Sequence, residues 1–428
     1  MNEEKGACLV SYSNKMIEAI QNEDLTKAAD YLHLALEHDQ TEELYALTET
    51  LFDLGFLEET KTVALHLLEK EQDDAMKLTL AELAIEEGKE LEAFDWIDQV
   101  EKNSPYYPQA LLVSADYYQV LDLPEVSRQK LKEAKTLLPE EPVIDFALGE
   151  LYFSSGEYRD AITSYEELLI KNHTEFAGIS IYSRLGNAYG AIGEWEEAED
   201  YLKEAIELQE TSDHLFQLGY IYFQQKEYDK ANDLFLKIKE LDPSYTSVYV
   251  FLAEGYIQQN KEKEALEIVK DGLYYDKENA SLYSMGAEAA VKLGDEEAAE
   301  DYYGKAIERD PENISLVLHL TNLLLSQDRH EDALIWLEDK LNSGEEDPQL
   351  YWNSALAYNE TEDFSKAKEY YEKAYPYLKD NAGYLKDYAL FLREEGDQDA
   401  FRKVVQNYLE LNPSDIDMIE LINNEENW

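Results

Sequence analysis

The sequence predicts an all-α solenoid made of twelve antiparallel helix hairpins. Three observations predict it. Anchor positions recur at residues 9, 41, 74, 108, 142, 179, 212, 246, 280, 314, 348 and 382, and these eleven intervals average about 33.9 residues. Small residues recur at two fixed columns of that period. Proline and glycine, the two residues that punctuate helices, collect in three others.

The eighth column holds Gly or Ala in nine of twelve repeats, among them Gly149, Gly186, Gly219 and Ala253. The twentieth column is Ala in nine, including Ala93, Ala161 and Ala198. Missing side-chain bulk at both places lets two helices of a hairpin approach closely. Tyr fills the eleventh column six times, as at Tyr152 and Tyr189. Eight of the ten prolines fall in columns thirty-two (Pro105, Pro139, Pro243, Pro311, Pro413) and one (Pro108, Pro142, Pro348), the predicted turns between repeats. Gly55, Gly88, Gly156, Gly193, Gly294 and Gly396 share column fifteen, the turn inside each hairpin, where a positive φ is tolerated.

Taken in order, residues 1–8 precede the first repeat. Repeats 1 and 2 depart from the pattern, with Met16 and Thr48 in the eighth column and Thr60 in the twentieth. Repeats 3 to 11 follow it closely. The interval from 142 to 179 is 37 residues, and its surplus at Asn172–Gly178 predicts a kink between sub-arrays 9–178 and 179–415. In repeat 10, Asn342-Ser343-Gly344 predicts a shortened second helix. Phe401 replaces the alanine in repeat 12, as expected of an end hairpin with one neighbour. Ser414-Asp415-Ile416-Asp417 reads as a capping box opening a last helix over 416–428, whose Ile416, Ile419 and Ile422 would cover the open end. Helix content is predicted at roughly 70–80%.

Composition narrows the function. The 94 acidic and 37 basic residues leave 57 net negative charges over 428 residues. With 44% hydrophobic and 12% aromatic residues the chain folds rather than staying disordered. Its charge opposes direct binding of nucleic acid or anionic membrane. The one cysteine, Cys8, excludes an intramolecular disulfide framework. The first residues lack the basic and apolar regions of a signal peptide. The longest uncharged run, Asn313–Gln327, is 15 residues and too short to span a bilayer. A cytoplasmic protein is expected. No phosphate loop, nucleophile elbow or H-E-x-x-H spacing occurs, and the seven histidines are scattered. With 94 acids, adjacent carboxylates carry no catalytic information. No catalytic residue, cofactor or metal site is expected, and the chain is read as a non-enzyme.

The period and column pattern resemble the tetratricopeptide repeat family, over residues 9 to about 415, and look most like the long arrays of Bacillus-type bacteria. The resemblance implies a right-handed superhelix whose first helices line a concave face that binds proteins or peptides, with columns two, five, nine and twelve facing the groove. In those columns stand the acids Glu49, Glu82, Asp116, Glu150, Glu254 and Glu288, with Asn187 and Tyr220. Tyr45, Phe146, Phe216 and Trp352 fill the fifth column, and Phe52, Phe153 and Phe223 the twelfth. Such a surface is either solvated acid with aromatics partly buried between helices, or a groove for a basic segment with apolar anchors. Repeats 2 to 9 carry no Lys or Arg in these columns, so the carboxylate clamp of the chaperone-binding subclass is not expected. The expected function is a protein-interaction scaffold or adaptor with a basic partner, no direct nucleic acid and no membrane insertion. The alternatives are a regulator of nucleic-acid machinery acting on its basic proteins, and the recognition arm of an enzyme complex.

Overall fold

The computed structural model describes residues 11–425. Residues 1–8 and Cys8 lie outside the described residues, as does the end of the expected last helix. Helices make up 78% of the described residues. They form two compact units, one ending at Gln209 and the other beginning at Glu210.

In the first unit, α1 (Tyr12–Gln21) pairs with α2 (Leu25–His38), α3 (Thr41–Asp53) with α4 (Leu57–Lys70), and α5 (Asp74–Glu86) with α6 (Glu90–Asp98). Next come α7 (Tyr107–Val120) with α8 (Pro124–Leu137), α9 (Pro142–Ser154) with α10 (Tyr158–Ile170), and α11 (Ile181–Ala191) with α12 (Trp195–Leu208). In the second unit the pairs are α13 (Ser212–Gln224) and α14 (Tyr228–Leu241), α15 (Ser247–Gln258) and α16 (Glu262–Tyr275), and α17 (Ala280–Leu293) and α18 (Glu296–Arg309). They continue with α19 (Ile314–Ser326) and α20 (His330–Asn342), α21 (Pro348–Glu360) and α22 (Phe364–Leu378), and α23 (Ala382–Glu394) and α24 (Gln398–Leu411). The chain then forms α25 (Ile416–Glu425).

Each hairpin turns in the same way. The fifteenth-column residue has a positive φ in all twelve repeats: the six glycines, and also Glu23, Asp122, Lys226, Asn260, Asp328 and Glu362. The next residue then donates its N–H to the eleventh-column carbonyl, as from Glu157 to Tyr152 at 2.8 Å and from Lys261 to Tyr256 at 2.9 Å. This is the six-to-one bond that closes a helix with a left-handed residue.

The small columns have a measurable reason. A Cβ on Gly149 would sit 2.4 Å from the Tyr165 ring, and one on Gly219 would sit 2.6 Å from Phe235. Both rings are fully buried on the second helix of the same hairpin. The twentieth-column alanines are buried as well, Ala161, Ala198 and Ala231 completely.

The surplus residues after repeat 5 form a small β-hairpin, β1 (Glu175–Phe176) against β2 (Ile179–Ser180). Ala177 and Gly178 between them both have positive φ, as a two-residue type I′ turn demands. At the C-terminal end Asp415 caps α25 by accepting the Met418 N–H. Met418, Leu421 and Ile422 pack on the core of repeats 11 and 12, whereas Ile416 is exposed. Ile422 thus covers the end as the isoleucine spacing predicts, while Met418 and Leu421 take the places expected of Ile416 and Ile419.

Candidate functional site

The first-helix face of the first unit brings together Tyr45, Glu49, Phe52 and Glu82 of the sequence pattern. Tyr45 on α3 donates its hydroxyl to Asp73, the N-cap of α5, and burial together with that carboxylate raises its pKa. Around this contact lies a cleft of about 560 Å³. Glu49, Asp53, Asp73 and Glu82 supply its carboxyls, and Tyr45, Phe52 and Tyr106 its aromatic walls. No Lys or Arg lines it. Glu49 is exposed, while Phe52 is half-buried against the core of repeats 1 to 3.

Glu82 on α5 and Asp116 on α7 form a coupled pair one repeat apart. Burial, then the Asp116 and Glu86 charges, push the Glu82 carboxyl up to about 7. Asp116 is solvent-exposed, yet the protein atoms around it exclude enough water to push it up to about 6.

The fourth acid of the expected stripe behaves differently. Glu150 on α9 is paired with Arg184 of α11 and accepts the Tyr165 hydroxyl at 2.5 Å. Its charge is neutralised inside the protein, whereas Glu49, Glu82 and Asp116 have no cation partner among the described residues. Phe146 is also covered, because Phe176 of the β-hairpin stacks on it at 4.9 Å between centroids. Phe153 meets Tyr158 edge-on at 5.4 Å. Asn187 stands half-buried on α11.

In the second unit, Phe216, Tyr220 and Phe223 of α13 form one cluster around Phe251 of α15. The three rings lie 5.3, 5.6 and 5.3 Å from Phe251, respectively, and each meets it edge-on. Tyr220 remains 38% exposed and is the open member. Glu254 on α15 has its pKa raised by burial and by Glu288 on α17, and Glu288 lies 3.5 Å from Lys292. Trp352 on α21 donates its indole N–H to Asp387 at 3.1 Å and meets Tyr384 edge-on, so it is structural on both edges.

Phe251 and Arg184 escaped the sequence reading for one reason. Both occupy the sixth column of their repeats, and each reaches back to the face of the preceding one. Among the described residues no group of His, Cys, Asp or Glu is placed to hold a metal ion, and no helix is long and apolar enough to cross a membrane.

Comparison with known proteins agrees with this architecture. Models of YpiA-like tetratricopeptide repeats match residues 119–173 and, for the C-terminal form, 348–415, and general tetratricopeptide models match 179–244 and 290–357. The chain is 31% identical over 427 residues to TPR repeat-containing protein YpiA of Bacillus subtilis, covering 97% of both chains. It is 33% identical over 102 residues to the human Protein O-mannosyl-transferase TMTC2, 23% of this chain and 12% of that protein. Among solved structures, that of the APC/C hetero-tetramer Cut9–Hcn1 aligns over 97% of this chain and 96% of that one, at 11% identity and a TM-score of 0.40. By its repeat register and its match along the whole length, the chain belongs to the YpiA-like family of tetratricopeptide repeat proteins.

Proposed function

We propose that the chain is a non-enzymatic cytosolic scaffold that holds a basic protein segment on its acidic, aromatic first-helix face, chiefly in the cleft between α3 and α5. The observation that carries this is the lining itself: four carboxyls and three aromatic rings around about 560 Å³, with no cation among them. Asp73 is held by the Tyr45 hydroxyl and the Ala75 N–H, so the other three carboxyls steer and select a positive segment, and the rings hold its apolar stems or stack on guanidinium groups. A cation over an aromatic face adds about 0.5–1 kcal/mol per exposed pair.

The test is a fluorescein-labelled peptide of alternating lysine and leucine, titrated against the full chain. Glu49→Gln with Glu82→Gln is expected to weaken binding at least tenfold, mainly through slower association, and to flatten its salt dependence. Asp30→Asn with Glu69→Gln, exposed on the second helices α2 and α4, is the control. Equal losses from both pairs would show that bulk charge alone attracts the peptide, and no loss from either would move the binding surface elsewhere.

A further inference from the structure

The chain shows with its own side chains how it satisfies an arginine. Arg309 of α18 has its guanidinium carbon 4.4 Å from the Tyr283 ring centroid and its Nε 3.8 Å from the Glu278 carboxylate. Arg128 of α8 lies 5.3 Å from the Tyr152 ring centroid and is paired with Glu157. Each guanidinium thus has a ring face and a carboxylate at once. Both side chains are largely covered, at 19% and 17% exposure. Lysines with the same two partners stand further out: Lys230, over Tyr222 and beside Glu227, is 56% exposed, and Lys366, over Tyr358 and beside Glu338, is 47% exposed. Hydration explains the difference. The guanidinium is weakly hydrated, stacks flat on a ring and forks onto a carboxylate, whereas the ammonium is a compact, strongly hydrated point charge.

The acidic cleft offers the same two partners with no cation among its lining residues. Tyr45, Glu49 and Phe52 stand at i, i+4 and i+7 on α3, so one face of that helix presents ring, carboxylate and ring on successive turns. Neighbours at such spacings have Cβ atoms about 5–6 Å apart, within reach of one guanidinium. Tyr45 is held by its hydroxyl bond to Asp73, which also accepts the Ala75 N–H at 2.8 Å. Phe52 is half-buried against the core of repeats 1 to 3. Both rings are therefore fixed and partly shielded from water before a ligand arrives. The Glu49 carboxylate between them is exposed, and Glu82 of α5 lines the same space.

We infer that this cleft is an arginine pocket: one guanidinium of the basic segment forks onto Glu49 and stacks on a flanking ring, Tyr45 or Phe52, so that arginine is preferred to lysine at equal charge. The inference rests on the function proposed above and adds to it the side chain that is read.

Two fluorescein-labelled peptides of equal length and charge, leucine alternating with arginine or with lysine, are titrated against the full chain at physiological salt. The arginine peptide is expected to bind at least tenfold more tightly. Tyr45→Leu with Phe52→Leu should bring it to within about threefold of the lysine peptide, with an unchanged melting temperature reporting that the hairpin stays folded. A third peptide carries asymmetrically dimethylated arginines, which keep their charge but cannot fork onto a carboxylate. Its binding to the unaltered chain should be at least tenfold weaker than that of the arginine peptide, a comparison that needs no variant. Equal affinities for arginine and lysine, undiminished binding of the methylated peptide, or an arginine preference that survives in the double variant overturns the inference. Each leaves the proposed function standing as long as Glu49→Gln with Glu82→Gln still weakens both unmodified peptides. If that pair weakens neither, the proposed function fails and the pocket with it.

Discussion

Arg184 reaches back from α11 to Glu150 on α9, its Nη2 donating to Oε2 at 2.8 Å while its Nε lies 2.8 Å from Oε1 without donating to it. The half-buried pair thus rests on one charge-assisted hydrogen bond and on close opposite charge. Arg184→Met leaves a carboxylate without its cation and is expected to cost about 1–3 kcal/mol. Adding Glu150→Gln should return most of that loss, which a double-mutant cycle by urea denaturation measures. The single variant should also capture a lysine-rich peptide faster at low salt, because it opens a fourth carboxylate.

The inner turns give a second prediction. Lys226 and Glu362 have φ of 61° and 63°, a region that costs an ordinary side chain about 1–2 kcal/mol. Glycine removes that strain and gives some of it back as unfolded-chain entropy. Lys226→Gly and Glu362→Gly should each stabilise by about 0.5–1 kcal/mol. Asn260→Gly should gain less, since asparagine tolerates the conformation. Thermal melts of the three variants separate these values.

Two helical glycines should respond in opposite directions to the same change. A Cβ at Gly219 meets the buried Phe235 ring at 2.6 Å, whereas nothing lies within 4 Å of one at Gly304 in α18. Gly219→Ala should destabilise by about 1–3 kcal/mol through overpacking. Gly304→Ala should stabilise by about 0.5–1 kcal/mol through helix propensity. Equal effects would contradict the close-approach role of the eighth column.

Acidity should move folding and binding in opposite senses. Glu82 and Asp116, pushed up to about 7 and about 6 from ordinary values of 4.5 and 3.8, hold protons more tightly folded than unfolded. The stability they contribute is therefore present on the acid side and is lost as pH rises through about 6 to 7. The melting temperature should be higher at pH 5.5 than at pH 8, and Glu82→Gln should raise the pH 8 value by about 2–4 °C and flatten the difference. Binding of a basic peptide should instead strengthen across the same interval, as the two carboxyls ionise.

The fold was legible because its determinants are local and repeat. Pro142 and Pro348 open α9 and α21, and Gly156 and Gly294 end the first helices of their hairpins, as their columns predict. The other half of the turns was not legible, because nothing in Glu23 or Lys226 as residue types announces a positive φ. There the six-to-one bond and the packing of both helices impose the conformation. The acidic cleft was legible through Tyr45, Glu49, Phe52 and Glu82, but Asp73 and Tyr106 enter it from the loops between repeats. Arg184, Phe251 and Phe176 change the meaning of the columns they touch, since each arrives from a neighbouring segment that a single-repeat register does not pair with them.

The β-hairpin after repeat 5 has a consequence for ligand length. With Phe176 seated on Phe146 and Arg184 on Glu150, two of the fifth repeat's groove positions are already engaged by this chain's own residues. On the function proposed above, a positively charged segment would run from Glu49 to Asp116 and then encounter positions already engaged. Its affinity should climb with length only until it reaches that closed repeat and then level off. The first unit would in this way act as a gauge, distinguishing short basic stretches from long ones by where its own chain has closed the track.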